Sequence, residues 1–300
     1  MSRRLCALLF AVLFLAACTA QTASKEPAPT EAPKGEPSTG SIEFLLIGKD
    51  GNDMAYDKTR VTPDLASPLQ GKTIYWLGSS VTYGAGSNGQ SMAHFMAAKD
   101  GVTSVVEAMS GTTLATGEQK PETSYVSRLL ASEKFDKTAK IDAFVCQIST
   151  NDAKTANMPN IGALTAPDVT DPEAFDLSTA AGAIEYIIRY VHDTWHCPIL
   201  FYSGSYFGDD GARGNADPSG SDYAKLVALT LDAAEKWDAI DGFEVSVLDL
   251  YNDAAFNALV SDADYAYLMR DPVHPHKAGY LLWWRPAFEN ALQLSINFTE

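Results

Sequence analysis

Cysteine, histidine and positive charge are all scarce in this 300-residue chain. Of its four cysteines, Cys6 and Cys18 fall in an N-terminal leader pattern. Cys146 then lies inside one apolar run and Cys197 at the start of another. Their spacing marks no disulfide framework. An oxidising compartment permits a bond between them, and two buried thiols acting as small hydrophobes is the simpler reading. Among the five histidines, His192 and His196 have a metal-like spacing, four apart in one helical pattern. Asp193-Thr194-Trp195 between them supplies neither a third ligand nor a zincin glutamate, so they read as histidines favoured by a helix C-terminal dipole. Oxygen ligands gather in Gly208-Asp209-Asp210-Gly211 with Asn215 and Asp217, but not at EF-hand spacing. No metal or cofactor is expected. Lys and Arg number 22 against 38 Asp and Glu, for a formal net charge of −16. Such a surface repels phosphate backbones and anionic membranes, which speaks against nucleic acid as a partner and against a basic patch as a membrane anchor.

What is present begins with the leader. Arg3 and Arg4 precede an apolar run at 5 to 16 that is too short to span a bilayer and ends in small residues, the pattern of an export signal. Its close, Leu15-Ala16-Ala17-Cys18, resembles the lipobox of bacterial lipoproteins. That resemblance implies acylation of Cys18, which becomes the mature N-terminus and fixes the exported protein to a membrane of the bacterial cell envelope. Residues 1–17 then form the signal peptide, and their loss removes two arginines and no acid, leaving the mature chain two charges more negative. Residues 18–40 are mostly Pro, Thr, Ala, Glu and Lys, too polar to offset the entropy of ordering, so they form a flexible linker. Residues 41–300 suit one α/β domain, and 46% hydrophobic with 10% aromatic content agrees.

Within that domain, apolar runs of strand length alternate with helix-period stretches, which implies parallel strands joined by crossover helices. Strands are expected at 73–77, 104–108, 143–148, 199–202 and 243–248. Helices are expected at 92–98 and 125–135, along the stripe Ile184, Ile187, Ile188, Val191, Trp195, and at 222–237 with Tyr223, Val227, Leu231 and Ala234 on one face. A mostly irregular stretch follows, then a last helix from His276 or Lys277. The expected architecture is a three-layer α/β/α sandwich on a five-stranded parallel sheet with flavodoxin-like winding. In such sheets ligands gather at the carboxyl ends of the strands, so residues just after Leu77, Ala108 and Ile148 should share one rim.

Those residues belong to four short blocks. Gly78-Ser79-Ser80-Val81-Thr82-Tyr83-Gly84, Ser110-Gly111, Ser149-Thr150-Asn151-Asp152 and Asp271-Pro272-Val273-His274 resemble, in order, the sequence blocks of SGNH (GDSL-like) hydrolases. Each block alone is weak, while four in order over most of 71–292 are specific. The resemblance implies Ser80 as nucleophile, Asp271 and His274 as its partners, and an oxyanion hole from the N–H groups of Ser80 and Gly111 and the side-chain amide of Asn151. The chemistry supports the same reading of the triad. A serine hydroxyl needs a base to take its proton, His274 is the histidine close behind an aspartate at a loop-to-helix junction, and Asp271 can reach the other ring nitrogen. Two departures from the pattern, Ser79 in place of Asp and Ser149 in place of Gly, imply different support around Ser80.

The reaction expected is hydrolysis of O-acyl esters through an acyl-enzyme, with acetyl esters of carbohydrates as substrate. The same fold also serves lipases, phospholipases, thioesterases and O-acetyltransferases, and a catalytically silent glycan-binding lipoprotein is the non-enzymatic reading. Short acyl groups are favoured because the insertion at 153–177 is rich in Pro, Thr, Asp and Asn and has no amphipathic stripe from which to build a lid. Tyr83, Tyr206 and Phe207 follow strand ends and are candidates for stacking on a sugar, or for simple packing. Leu259, Val260, Tyr265 and Leu268 face either the core or an acyl chain.

Overall fold

Runs of β-branched and aromatic residues bounded by polar turns become five parallel strands: Thr73–Gly78 (β1), Thr103–Ala108 (β2), Ala143–Gln147 (β3), Ile199–Tyr202 (β4) and Val245–Leu248 (β5). The structure, a computed structural model, describes residues 46–117, 121–154, 161–206 and 222–297. The strand order is β2-β1-β3-β4-β5, with Gly78 opposite Ala108 and Leu77 opposite Cys146. The winding reverses between β1 and β3, the point where open α/β sheets leave a crevice at the strands' carboxyl ends.

One face of the sheet carries Tyr125–Ala131 (α3), Ala180–Trp195 (α4) and Asp222–Asp238 (α5); the other carries Met92–Asp100 (α2) and Arg285–Asn297 (α8). Two separate apolar cores follow, one with Ile184, Ile187, Ile188 and Val191 of α4, the other with Trp76, Trp284 and Phe288. The α4 stripe is buried as its period requires. Thr179 caps its start by accepting from the Gly182 N–H, and His196 ends it in the left-handed region at φ 49°. The ring of His192 stacks on Phe243 at 3.8 Å.

Four details differ from the sequence expectation. In α5 the inner face runs through Tyr223, Val227, Thr230, Ala234 and Trp237, while Leu231 is 38% exposed. Thr230 can face the core because its hydroxyl donates to the Leu226 carbonyl, and Leu231, rotated by about 100°, is then turned outward. Helix α3 stops at Ala131, because Phe135 is drawn into the core to stack on Tyr75 at 4.8 Å. The stretch expected to be irregular holds two short helices, Ala254–Ala258 (α6) and Asp262–Leu268 (α7), capped by Asp253 and Ser261. The last helix does begin at Lys277, but it passes through a π-helical segment, Gly279–Trp284, before α8. Pro286 accounts for this, since it offers no N–H and its ring crowds the carbonyl one turn back.

Cys146 and Cys197 are buried free thiols. Cys146 is in register with Phe201, four residues along from Cys197 and hence about 13 Å away, beyond the reach of a disulfide.

Candidate active site

Glycine is required where β1 ends. A Cβ on Gly78 would stand 1.8 Å from Thr82 Oγ1, so only a bare backbone lets the chain turn there. Ser79 follows at φ −108°, ψ −137°, and Ser80 opens a four-residue helix, Ser80–Tyr83 (α1), closed by Gly84 at φ 86°. This sharp strand-to-helix turn puts Ser80 on the carboxyl rim, 8% exposed.

The turn rests on Gln147, at the end of the neighbouring strand β3. Its Oε1 accepts from the Ser79 N–H at 3.0 Å, the Thr82 N–H at 3.0 Å and the Thr82 hydroxyl at 2.8 Å, and its Nε2 donates to Ser79 Oγ at 3.0 Å. Because the Thr82 proton is given to Gln147, the Tyr202 hydroxyl donates to Thr82 Oγ1, at 2.7 Å. This amide is what Ser79, standing in place of the acid in the SGNH block, pairs with. Nothing local in the sequence marks Gln147, since its partners lie 65 to 68 residues away.

His274 is presented by a loop closed by an antiparallel bridge between Met269 and Pro275. Asp271 Oδ1 accepts from the backbone N–H of Val273 and of His274, both at 2.9 Å. The same carboxylate meets His274 Nδ1 at 2.8 and 2.9 Å, and His274 Nε2 lies 2.7 Å from Ser80 Oγ. A carboxylate only accepts, so the ring proton sits on Nδ1 and the Nε2 lone pair faces the serine hydroxyl. Partial burial pushes the Asp271 carboxyl up, but the His274 ring and the two N–H groups outweigh it and leave its pKa lowered. Residues 46–60 brace the other side of the loop. The Asn52 side chain donates to the Gly86 carbonyl and accepts from the Lys277 N–H, and buried Lys277 pairs with Asp57 at 3.0 Å.

The second and third blocks meet at Thr112. Its carbonyl accepts from Asn151 Nδ2 at 2.9 Å and from Ser149 Oγ at 3.2 Å, and Ser149 Oγ in turn accepts from the Asn151 N–H. The hydroxyl of Ser149, absent from the glycine of the SGNH block, thus ties the two loops together. Gly111 is exposed at φ 83° with open space where a Cβ would stand; backbone conformation, not crowding, calls for glycine there. Buried Asp152 accepts from the N–H groups of Leu114 and Ala115, while burial pushes its carboxyl up to about 6.

The remaining candidates separate. Tyr83 is 51% exposed one turn after Ser80. Tyr206 is half-buried against the first core, its N–H donating to Asn257 Oδ1 and its ring 5.4 Å from Tyr251. Val260, Tyr265 and Leu268 are buried in the second core, and Leu259 is half-buried. Phe207, the acidic loop at 208–217 and Cys18 lie outside the described residues. Within the insertion, residues 161–177 contain one short turn of helix, Pro172–Ala174. Buried Lys236 holds this segment down through Thr165, the Val169 carbonyl and Glu185.

No family model matches the chain, and no curated protein sequence does. Among solved structures, a Lactobacillus plantarum protein is similar with a TM-score of 0.50 at 22% identity, over 77% of this chain and 99% of its own. A carbohydrate acetylesterase family member from Sinorhizobium meliloti is similar at 16% identity and TM-score 0.47, over 75% of this chain and 99% of its own. A lipase/acylhydrolase from Enterococcus faecalis is similar at 18% identity and TM-score 0.44, over 74% and 95%. At such identities the likeness is one of fold. The chain itself is a three-layer α/β/α sandwich on a five-stranded parallel sheet, a fold it shares with the Lactobacillus plantarum protein.

Proposed function

We propose that this protein is a serine esterase that hydrolyses O-acyl esters through an acyl-enzyme, with acetyl esters of carbohydrates as its substrates. The observation that carries the reading is the continuous relay from Ser80 Oγ through the His274 ring to Asp271, at 2.7 and 2.8 Å. In the first half-reaction Ser80 Oγ attacks the ester carbonyl carbon as its proton passes to His274 Nε2. The oxyanion that forms is met by the N–H groups of Ser80 and Gly111 and by Asn151 Nδ2. Collapse breaks the bond to the alcohol, which leaves with the proton from His274 and leaves the acyl group on Ser80. Water then attacks the acyl carbonyl, giving one proton to His274; the acid departs and Ser80 Oγ takes that proton back. Asp271 stays ionised throughout, holding the Nδ1 proton and stabilising the imidazolium.

Preference for a short acyl group is supported by what the described residues of the rim lack. Val260, Tyr265 and Leu268 are spent on the core, and the apolar residues of 161–177, with Phe175 buried and Ile161, Leu164, Val169 and Leu177 packed against the first core, are spent there too, in a segment held by Lys236. Half-exposed Tyr83 offers an aromatic face next to the nucleophile, suited to a sugar ring. The chain acts at the bacterial cell envelope, exported and held to the membrane by the lipid on Cys18, with 18–40 as tether.

Specificity constants for p-nitrophenyl esters from acetate to palmitate test the reading, alongside acetylated xylan and fluorophosphonate labelling of wild type and Ser80→Ala. Fast acetate cleavage and labelling lost with Ser80 are expected. Rates that climb with chain length would replace the carbohydrate substrate with a lipid one, and a wild type that neither labels nor hydrolyses would leave a glycan-binding lipoprotein.

A further inference from the structure

Arg128 belongs to none of the four blocks, yet it touches the first at Gly78 and, in Thr112, the residue that follows the second. It lies on α3, 6% exposed, and its Nη2 donates both to the Gly78 carbonyl at 2.9 Å and to Thr112 Oγ1 at 3.0 Å. Nη1 donates to the Glu107 carbonyl at 3.2 Å and to Glu107 Oε1 at 3.4 Å, and Nε donates to the Thr123 carbonyl at 3.0 Å. A buried guanidinium with all three nitrogens engaged, its charge offset by Glu107, is a rigid fork rather than a loose cation.

What the fork holds is specific. The Gly78–Ser79 peptide is gripped at both ends: its carbonyl by Arg128 and by the Met109 N–H, its N–H by Gln147 Oε1. This is the last peptide before the one whose N–H belongs to Ser80, so its plane sets where that donor points. Thr112, on the same nitrogen of Arg128, follows Gly111 directly. Its hydroxyl donates to the Met109 carbonyl, closing the Ser110-Gly111 turn, and its carbonyl holds Asn151 Nδ2. Each donor of the oxyanion hole is therefore one or two bonded steps from Arg128 Nη2.

We propose that Arg128 is a positioning residue that keeps the N–H groups of Ser80 and Gly111 and the Asn151 amide in one geometry for the oxyanion, an inference that rests on the esterase reading above. Donors that serve a tetrahedral oxyanion rather than the ground-state ester act on turnover more than on binding, and a misplacement of about 1 Å costs on the order of a hundredfold. An arginine that merely glued the loops would move stability and leave the turnover of folded protein alone.

The test compares wild type, Arg128→Lys, Thr112→Val and Ser80→Ala on p-nitrophenyl acetate, with thermal midpoints as the measure of folding. Lysine keeps the charge but cannot serve Gly78, Thr112, Glu107 and Thr123 at once. Folded Arg128→Lys should lose about a hundredfold in kcat with KM within about twofold of wild type, and fluorophosphonate labelling should slow in parallel. Thr112→Val keeps shape and guanidinium while deleting the hydroxyl through which Arg128 reaches the Met109 carbonyl, and should lose about tenfold in the same manner. If Arg128→Lys yields no folded protein, Thr112→Val decides alone. Folded variants with wild-type kcat, or a loss confined to KM, overturn the role of Arg128 while wild-type activity and an inert Ser80→Ala keep the esterase reading standing. A wild type without hydrolysis overturns both.

Discussion

Replacing Asp271 by Asn should nearly abolish turnover without unfolding the protein, and the geometry says why. Two fixed donors, the N–H groups of Val273 and His274, point at Oδ1 from 2.9 Å, so the introduced amide must place its oxygen there. That oxygen also lies 2.8 Å from His274 Nδ1, but its two lone pairs serve the two backbone N–H groups, so Nδ1 is left to face the NH2 at the Oδ2 position, 2.9 Å away, which donates to it. Nδ1 becomes an acceptor and the ring proton moves to Nε2, 2.7 Å from Ser80 Oγ. The neutral imidazole keeps no lone pair for the serine proton. A tautomer locked the wrong way costs about 10⁴ in kcat, or about 5.5 kcal/mol of barrier. Asp271→Ala leaves the ring unlocked and should fall between Asn and wild type. The carboxyl of Asp271 is held below its ordinary pKa, so it is ionised across the neutral range and the differences are not titration effects. Any stability it adds is present above its unfolded value of about 3.9 and fades only as pH falls through the lower folded value. Steady-state kcat on p-nitrophenyl acetate near neutral pH, with thermal midpoints as the folding control, gives the answer. An Asn variant within about tenfold of wild type would refute the tautomer argument.

Three further outcomes follow from the same contacts. Asn151→Ala should lower kcat by about a hundred- to a thousandfold with little change in KM, the usual size for one oxyanion donor, and a wild-type rate would remove Asn151 from the site. Lys236→Met should lower stability by about 3–5 kcal/mol in chemical denaturation, because it strands the fully buried Glu185 carboxylate and releases the insertion at Thr165. An unchanged denaturation midpoint would show the pair to be idle. Cys18→Ser should move the processed protein from the membrane fraction to the soluble one, since two acyl chains at about 0.8 kcal/mol per CH₂ would be lost and the 18–40 linker has no apolar anchor of its own. Membrane retention after leader removal would rule out the lipid.

The class of fold was legible because it depends on period and order, which are local. Strand-length apolar runs alternating with the three- and four-residue steps of α4 can only bury both faces of a parallel sheet, and β4 was bounded to the residue. That Ser80, His274 and Asp271 meet was legible for a related reason: Asp271 and His274 lie three apart in one loop, and Ser80 sits at a strand end, where topology brings it to the shared rim. What surrounds these groups was not legible. Leu231 and Thr230 are adjacent, and which of them faces inward was decided by an internal hydrogen bond to Leu226 that no hydropathy pattern contains. Tyr206 followed a strand end as a binding residue would, and its contact with Tyr251 is one that no local pattern contains. Gln147 and Arg128 carry no motif, and they support the Ser80 turn across 68 and 50 residues of chain. Period reports which face of one element is apolar; it cannot report which polar group on a neighbouring element will stand within hydrogen-bonding reach. That is fixed by the register of β1 against β2 and β3 and by the seating of α3, and only the folded chain brings those together.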